Sequence, residues 1–337
     1  MSEPLWVEAT RGGIVESRHR VSVAVVDRDG RLVASAGDPD LVAFWRSAAK
    51  PFQAMPWVEE GVAEQYAFGV EELALACASH SSEPVHRAIA GRMLAAVGLP
   101  EAALACGPHV PLSPEIAAEV ASGRATMTPL WSNCSGKHAG MLAWATTRGW
   151  PTAGYERLEH PLQRRILEEI QRWTGLPASR MALGVDGCTV VSFGLPLRAM
   201  ALAYARFAGS TEATAGRLRA AMATRPELTA GTGRLETLLT QATAGSVIPK
   251  IGADGIYCVA LPVAGLGVAL KVEDGDSASL GPALLATLRQ VAAEISTGCD
   301  PAGWPPAVNA FGELPIRSTR GFATGAVRAA GNLRFHV

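Results

Sequence analysis

Ser47-Ala48-Ala49-Lys50 sets a hydroxyl and an amine three residues apart. On a helix that spacing puts both on one side, so Ser47 and Lys50 read as a nucleophile and its base. A serine hydroxyl attacks poorly until a neighbour takes its proton, and a lysine stripped of water can take it. Pro51 is tolerated only in a first helical turn. That sets Ser47 at a helix start, where backbone N–H groups and the dipole favour developing negative charge. The plain alternative is a capping Ser47 with a solvated Lys50, and Ser-x-x-Lys alone is a frequent chance pattern.

Later fragments add to it. Ser79-His80-Ser81-Ser82-Glu83 precedes Pro84. It reads either as a second site hydroxyl at Ser79 or as a cap cluster using Ser81 or Ser82. Asn133-Cys134-Ser135-Gly136-Lys137-His138 reads as an anion-holding loop, because Gly136 would let backbone N–H groups approach a ligand. It lacks the upstream glycine and the following Ser/Thr of a phosphate loop. Cys134 and Cys188, the latter within Gly184-Val185-Asp186-Gly187-Cys188, read as structural thiols or as soft metal ligands; two isolated cysteines fall short of a Cys-x-x-Cys pair. Lysine is scarce in this arginine-rich chain, so Lys50, Lys137, Lys250 and Lys271 stand out as the amines that burial can turn into bases. His19, His86, His109, His160 and His336 read as surface or packing residues.

The elements that must position these groups alternate between hairpins and helices. Residues 14–26 and 32–36 flank Asp27-Arg28-Asp29-Gly30-Arg31, a hairpin signal. Residues 256–260 and 266–273 read as a second antiparallel pair. Helices are predicted over 48–60, 84–97, 138–147, 161–173, 211–224 and 277–295, with 70–77 helical or extended. In 161–173, Leu162, Ile166, Ile170 and Trp173 line one face and Gly175 stops the helix. Hairpins mixed with helices predict an α/β (α+β) fold, mainly an antiparallel sheet covered by helices. No linker divides the chain, so residues 1–337 are expected to form a single catalytic domain.

Composition narrows the function classes. The chain has 337 residues, is 48% hydrophobic and carries a net charge of −1. That balance gives no footprint for nucleic acid or an anionic membrane and suits a small-molecule substrate. No secretory signal opens the chain and no run of about 18 apolar residues occurs. The six cysteines are scattered, not framework-like, which predicts a reducing, cytoplasmic setting. Cys77 and Cys258 read as core thiols.

Taken together, the fragments resemble the asparaginase II family, the rhizobial-type L-asparaginases. The matching pieces are residues 11–17, 46–51, 77–83, 132–140, 186–188, 230–234, 250–255 and 271–275, in family order. The resemblance implies a serine β-lactamase/penicillin-binding-like architecture and hydrolysis of L-asparagine to L-aspartate and ammonia. It implies two Ser-Lys pairs, Ser47 with Lys50 and Ser79 with Lys250. It implies a zinc held by Cys134, Lys137 and Cys188, with Asp186 close by. Arg46, His138 and Asp186 become contacts for the substrate's α-carboxylate and α-amine, and the protein is expected to be a homodimer. Some family members carry an acid near Thr232, which bears on substrate preference.

Rival readings are a glutaminase, a penicillin-recognising enzyme, and a non-catalytic amino-acid- or zinc-binding protein. The penicillin-recognising set also needs Ser-Asp-Asn and Lys-Thr-Gly, and neither occurs. A non-catalytic protein could dispense with the Ser-Lys groups, yet Ser47, Lys50, Ser79 and Lys250 are all present.

Overall fold

Residues 2–336 are described in a computed structural model of the chain. The chain forms two compact units, each assembled from segments distant in sequence. The first gathers Met1–Ala48, Gly194–Gly209 and Leu238–Val337; the second gathers Ala49–Phe193 and Ser210–Thr237.

The strands are β1 (Leu5–Arg11), β2 (Ile14–Asp27), β3 (Leu32–Ala36), β4 (Val42–Phe44), β5 (Ala182–Val185), β6 (Val191–Pro196), β7 (Ile248–Ile251), β8 (Ile256–Leu261), β9 (Leu266–Val272), β10 (Glu313–Arg317), β11 (Ala323–Ala330) and β12 (Arg334–Phe335). In the first unit one antiparallel sheet runs β10-β11-β1-β2-β9-β8-β7, with β3 on β2 and β12 on β3. The long β2 organises it. Its first half pairs with β1, while its second half lies between β3 and β9. Val21 to Val26 are therefore buried on both faces, which fits an apolar run better than strict alternation. The predicted hairpin forms: Asp27 Oδ1 accepts from the N–H groups of Asp29 and Arg31 at 3.0 and 2.9 Å. Helices Leu197–Gly209 and Leu280–Glu294 cover the sheet, as the hairpin-and-helix pattern predicts. Gly267 admits the first of them, because a Cβ there would lie 2.0 Å from Ala201 O.

The turn Arg46–Ala49, of which Arg46, Ser47 and Ala48 belong to this unit, is 3₁₀ rather than the start of the α-helix. The α-helix proper, Lys50–Glu59, opens the second unit with Pro51 in its first turn. Among the described residues no helix is long and apolar enough to cross a membrane.

The second unit packs helices around Ser135–Thr147, which touches helices Lys50–Glu59, Val70–Ala76, Pro84–Ala96 and Pro161–Thr174. The predicted amphipathic helix is present, ended by Gly175 at φ 71°, a left-handed cap that glycine adopts without penalty. The helix predicted over 138–147 starts earlier, at Ser135. Gly136, Lys137 and His138 thus lie in a helical first turn and not in an anion-holding loop. Gly136 serves packing: a Cβ there would sit 2.5 Å from the carbonyl oxygen and Cγ of Leu75. Gly136→Ala is therefore expected to push helix Val70–Ala76 away and lower the unfolding free energy by about 1–3 kcal/mol. Urea unfolding followed by tryptophan fluorescence measures it; an unchanged midpoint would contradict this close approach.

Candidate active site

Lys50 is the first residue of its helix and its side chain has no solvent exposure. Its Nζ donates to the carbonyl oxygen of Ala78, lies 3.1 Å from Ser79 Oγ and 3.3 Å from Asn133 O. A buried amine needs such partners. Two of them are carbonyls, which only accept; the third is a hydroxyl, which can also donate. Nζ offers a donor to each of the three, and Ser79 Oγ is the one side-chain atom among them.

Ser79 sits between helices Val70–Ala76 and Pro84–Ala96, its N–H bonded to Thr229 O at 3.0 Å. The neighbouring serines do not cap the next helix. Ser81 Oγ donates to Ala230 O at 3.1 Å and Ser82 Oγ to Trp131 O at 2.7 Å. Ser82 holds φ 61°, an uncommon conformation for a side-chain-bearing residue. His80 fixes this loop. Its Nδ1 accepts the Ser82 N–H at 3.2 Å, so Nε2 carries the proton toward Ser135 Oγ at 2.9 Å. Its ring stacks on His86, centroids 5.0 Å apart. Nothing in the sequence around His80 marks this role, because its function as a tie depends on packing.

Cys134, Lys137 and Cys188 come together in the same unit. Cys134 and Cys188 are hydrogen-bonded free thiols, and Lys137 Nζ lies 3.0 Å from Cys188 Sγ. The hydrogen bond from Cys134 and the Lys137 charge hold Cys188 down to about 5 against the effect of burial. The same hydrogen bond, with burial, pushes Cys134 up to about 12. Burial alone would lower Lys137; the Cys188 and Cys134 sulfurs and the Asp186 carboxylate outweigh it and raise it. Two converging sulfurs and an amine are chemically suited to a soft divalent ion. Among the described residues, no group of three or more His, Cys, Asp or Glu side chains that could hold a metal occurs. Beside the two sulfurs Lys137 supplies a positive charge of its own.

His138 follows on the same helix. Burial, with Lys137 beside it, pushes it down to about 3, so its ring is neutral. Its Nδ1 is 2.6 Å from Tyr155 Oη, a residue that no sequence signal marked. Asp186 is partly exposed, in a tight turn where the Gly187 N–H bonds its Oδ1 at 2.8 Å.

Three predicted residues belong to the first unit. Ser47 lies partly exposed in the 3₁₀ turn, and Arg46, at φ 54°, pairs with Asp254. Lys250 is buried in β7, its Nζ 3.0 Å from Ile251 O, and stands opposite Cys258 in the β7–β8 register.

A profile of the L-asparaginase II family matches residues 7–329. No curated protein matches the chain. Among solved structures the chain is similar to Mglu in its native form in 4.3 M NaCl, with 17% identity over 81% of this chain and 60% of that one, at a TM-score of 0.45. A further native Mglu structure gives 16% identity over 77% and 61%, with a TM-score of 0.42. A β-lactamase from Mycobacterium bovis gives 13% identity over 75% and 87%, with a TM-score of 0.27. The chain spans about 60% of the length of Mglu.

The buried His80 gives a pH prediction. Burial, aided by the positive charges near it, lowers it well below 6.5. Below that pH the unfolded chain binds a proton that the folded ring refuses. Stability is thus present above pH 6.5 and declines as pH falls below it, by up to about 1.4 kcal/mol per unit from this residue. Urea unfolding at neutral and mildly acidic pH should show a shallower decline in His80→Gln than in the wild type. Parallel declines would mean that His80 takes up its proton in the folded state.

Proposed function

The chain belongs to the L-asparaginase II family, and from that premise we propose that it hydrolyses L-asparagine to L-aspartate and ammonia through a serine ester. The observation that carries the proposal is the buried Lys50 amine, 3.1 Å from a serine hydroxyl and otherwise bonded to two carbonyls. That set is suited to general-base catalysis.

In the proposed sequence a serine oxygen attacks the side-chain amide carbon while Lys50 takes the hydroxyl proton. Backbone N–H groups stabilise the tetrahedral oxyanion. Lys50 returns its proton to the leaving nitrogen, ammonia departs, and a β-aspartyl ester remains. Water, deprotonated by Lys50, then cleaves the ester. The family resemblance gives the attack to Ser47, with Ser79 and Lys250 as a supporting pair. The Lys50 contact makes Ser79 the competing nucleophile. Arg46, His138 and Asp186 are proposed to hold the α-carboxylate and α-amine. Cys134, Lys137 and Cys188 would hold zinc, which would supply a fixed positive charge that orients polar groups when bound. A homodimer in the cytoplasm remains part of the proposal.

Ammonia release from L-asparagine by purified protein should exceed that from L-glutamine, and benzylpenicillin should remain intact. One methylene is worth about 1–3 kcal/mol in a pocket, so equal kcat/KM for the two amides would shift the reading to a general amidohydrolase. Lys50→Met should lower kcat about 10²–10⁴-fold, the span of general-base catalysis. Near-normal turnover in a folded Lys50→Met protein removes Lys50 as the base. Ser47→Ala and Ser79→Ala should each lose activity. Acid-quenched ester, mapped by peptide mass, will lie on the nucleophile's own peptide.

Zinc binding has its own readout. Cys134→Ser or Cys188→Ser should weaken zinc binding sharply, because a soft thiolate is lost. Acid should release the metal from the wild type as protons compete for the sulfurs and the amine. Metal content after dialysis measures both, and equal retention by the cysteine variants would exclude this ligand set.

A further inference from the structure

Tyr155 and His138 form a buried pair in which the hydrogens can be counted. Tyr155 Oη accepts the Ala105 N–H at 3.0 Å and lies 2.6 Å from His138 Nδ1. The rings meet edge to face with centroids 5.6 Å apart. Gln163 Nε2 fastens the Tyr155 backbone by its carbonyl at 3.0 Å, so both ends of the tyrosine are held. His138 Nε2 is buried and has no hydrogen-bond partner among the described residues.

An imidazolium, with hydrogen on Nδ1, would leave both the phenol O–H and the Nε2–H buried without partners, and a neutral imidazole has one proton to place. If Nδ1 carried it, the phenol would accept twice. Its own O–H and the Nε2 lone pair would then both be buried without partners. If Nε2 carries it, the phenol donates to Nδ1 and a single buried group, the Nε2–H, lacks a partner. Each unmet buried polar group is costly, so the second arrangement prevails. The remaining N–H is then a donor with no acceptor inside the unit, as expected where a ligand supplies one.

We propose that Tyr155 is a positioning residue that fixes His138 as a neutral Nε2–H donor to a carboxylate oxygen of the bound ligand. The ligand's identity rests on the asparaginase reading; the position of the proton does not. On that reading His138 takes the substrate's α-carboxylate. A ring nitrogen that carries hydrogen cannot accept from the α-ammonium, which falls to an acceptor such as Asp186. Tyr155 touches no substrate and acts only through the histidine.

The test is long-range ¹H–¹⁵N NMR on histidine-labelled protein at neutral pH, with the His138 signals identified by their loss in His138→Gln. The wild type should show a pyridine-like Nδ1 and a pyrrole-like Nε2. A pyrrole-like Nδ1 in the wild type overturns the proposal by itself. Tyr155→Phe, which keeps the ring and removes the hydroxyl, should shift the tautomer balance. It should also weaken binding of L-aspartate, used as the carboxylate probe, by about tenfold, the lower end for a hydrogen bond to a charged group. L-Aspartate should move the Nε2–H signal of the wild type. Failure to move it, or an unchanged tautomer or affinity in Tyr155→Phe, overturns the proposal. A protein that shows every NMR and binding effect yet releases no ammonia from L-asparagine would reject the asparaginase reading and keep this one.

Discussion

A lysine amine with no access to water constrains the second unit more than any other group in it. Lys50 cannot be left unpaired in the core, since an unpaired buried charge or amine costs several kcal/mol. Its partners Ala78 O, Ser79 Oγ and Asn133 O come from two segments far apart in sequence. Satisfying one amine therefore fixes the Ser79 loop against the start of the helix that carries Lys137 and His138. His80 repeats the tie through Asn133 O and Ser135 Oγ. An amine and a neighbouring hydroxyl are brought together by the same requirement.

The thiol cluster on that helix shows a second form of compensation. Cys188 favours its thiolate, Lys137 its ammonium, and Cys134 its thiol, whose Sγ donates to Asn133 Oδ1 at 3.2 Å. The three groups are close to neutral together, which a buried site demands. Binding a divalent ion would reorganise that balance, because Lys137 and Cys134 must both give up protons to coordinate. Metal binding at this donor set would therefore be linked to proton release.

Much of this arrangement was legible in the residues, and the failures have physical causes. The β2–β3 and β8–β9 hairpins announce themselves through apolar runs and glycine-bearing turns. Helix Pro161–Thr174 announces itself through a single apolar face. The first turn of helix Ser135–Thr147 does not, because the helix is buried on every side from Ser135 to Ala145. Without a solvent face there is no period to read, and Gly136 resembles a loop residue when it is a packing residue. Strand β11 escaped because Ala, Gly and Arg fill much of its length and carry little β signal, and β10 because Pro315 sits at its centre. In the site, polar residues in short glycine-bearing fragments were visible. Tyr155 was not, because its relation to His138 arises only when a loop folds onto a buried helix.

Part of the backbone strain falls at or beside these fragments. Among the described residues with side chains, Arg46, Ala67, Ser82, Thr189, Ala244 and Asp254 hold positive φ. Arg46 precedes Ser47 and pairs with Asp254; Ser82 closes the Ser79 loop; Thr189 follows Cys188. Each such residue costs on the order of 1–3 kcal/mol and persists only when its surroundings enforce it. Ser82 shows how: its hydroxyl and its N–H are both committed, to Trp131 O and to His80 Nδ1. Relaxing Ser82 would break both bonds and release the histidine that ties Ser79 to Ser135. Strain in the backbone and order in the side chains are thus maintained by the same few hydrogen bonds, and the loop bearing Ser79 is held by its chemistry-bearing neighbours rather than by regular secondary structure.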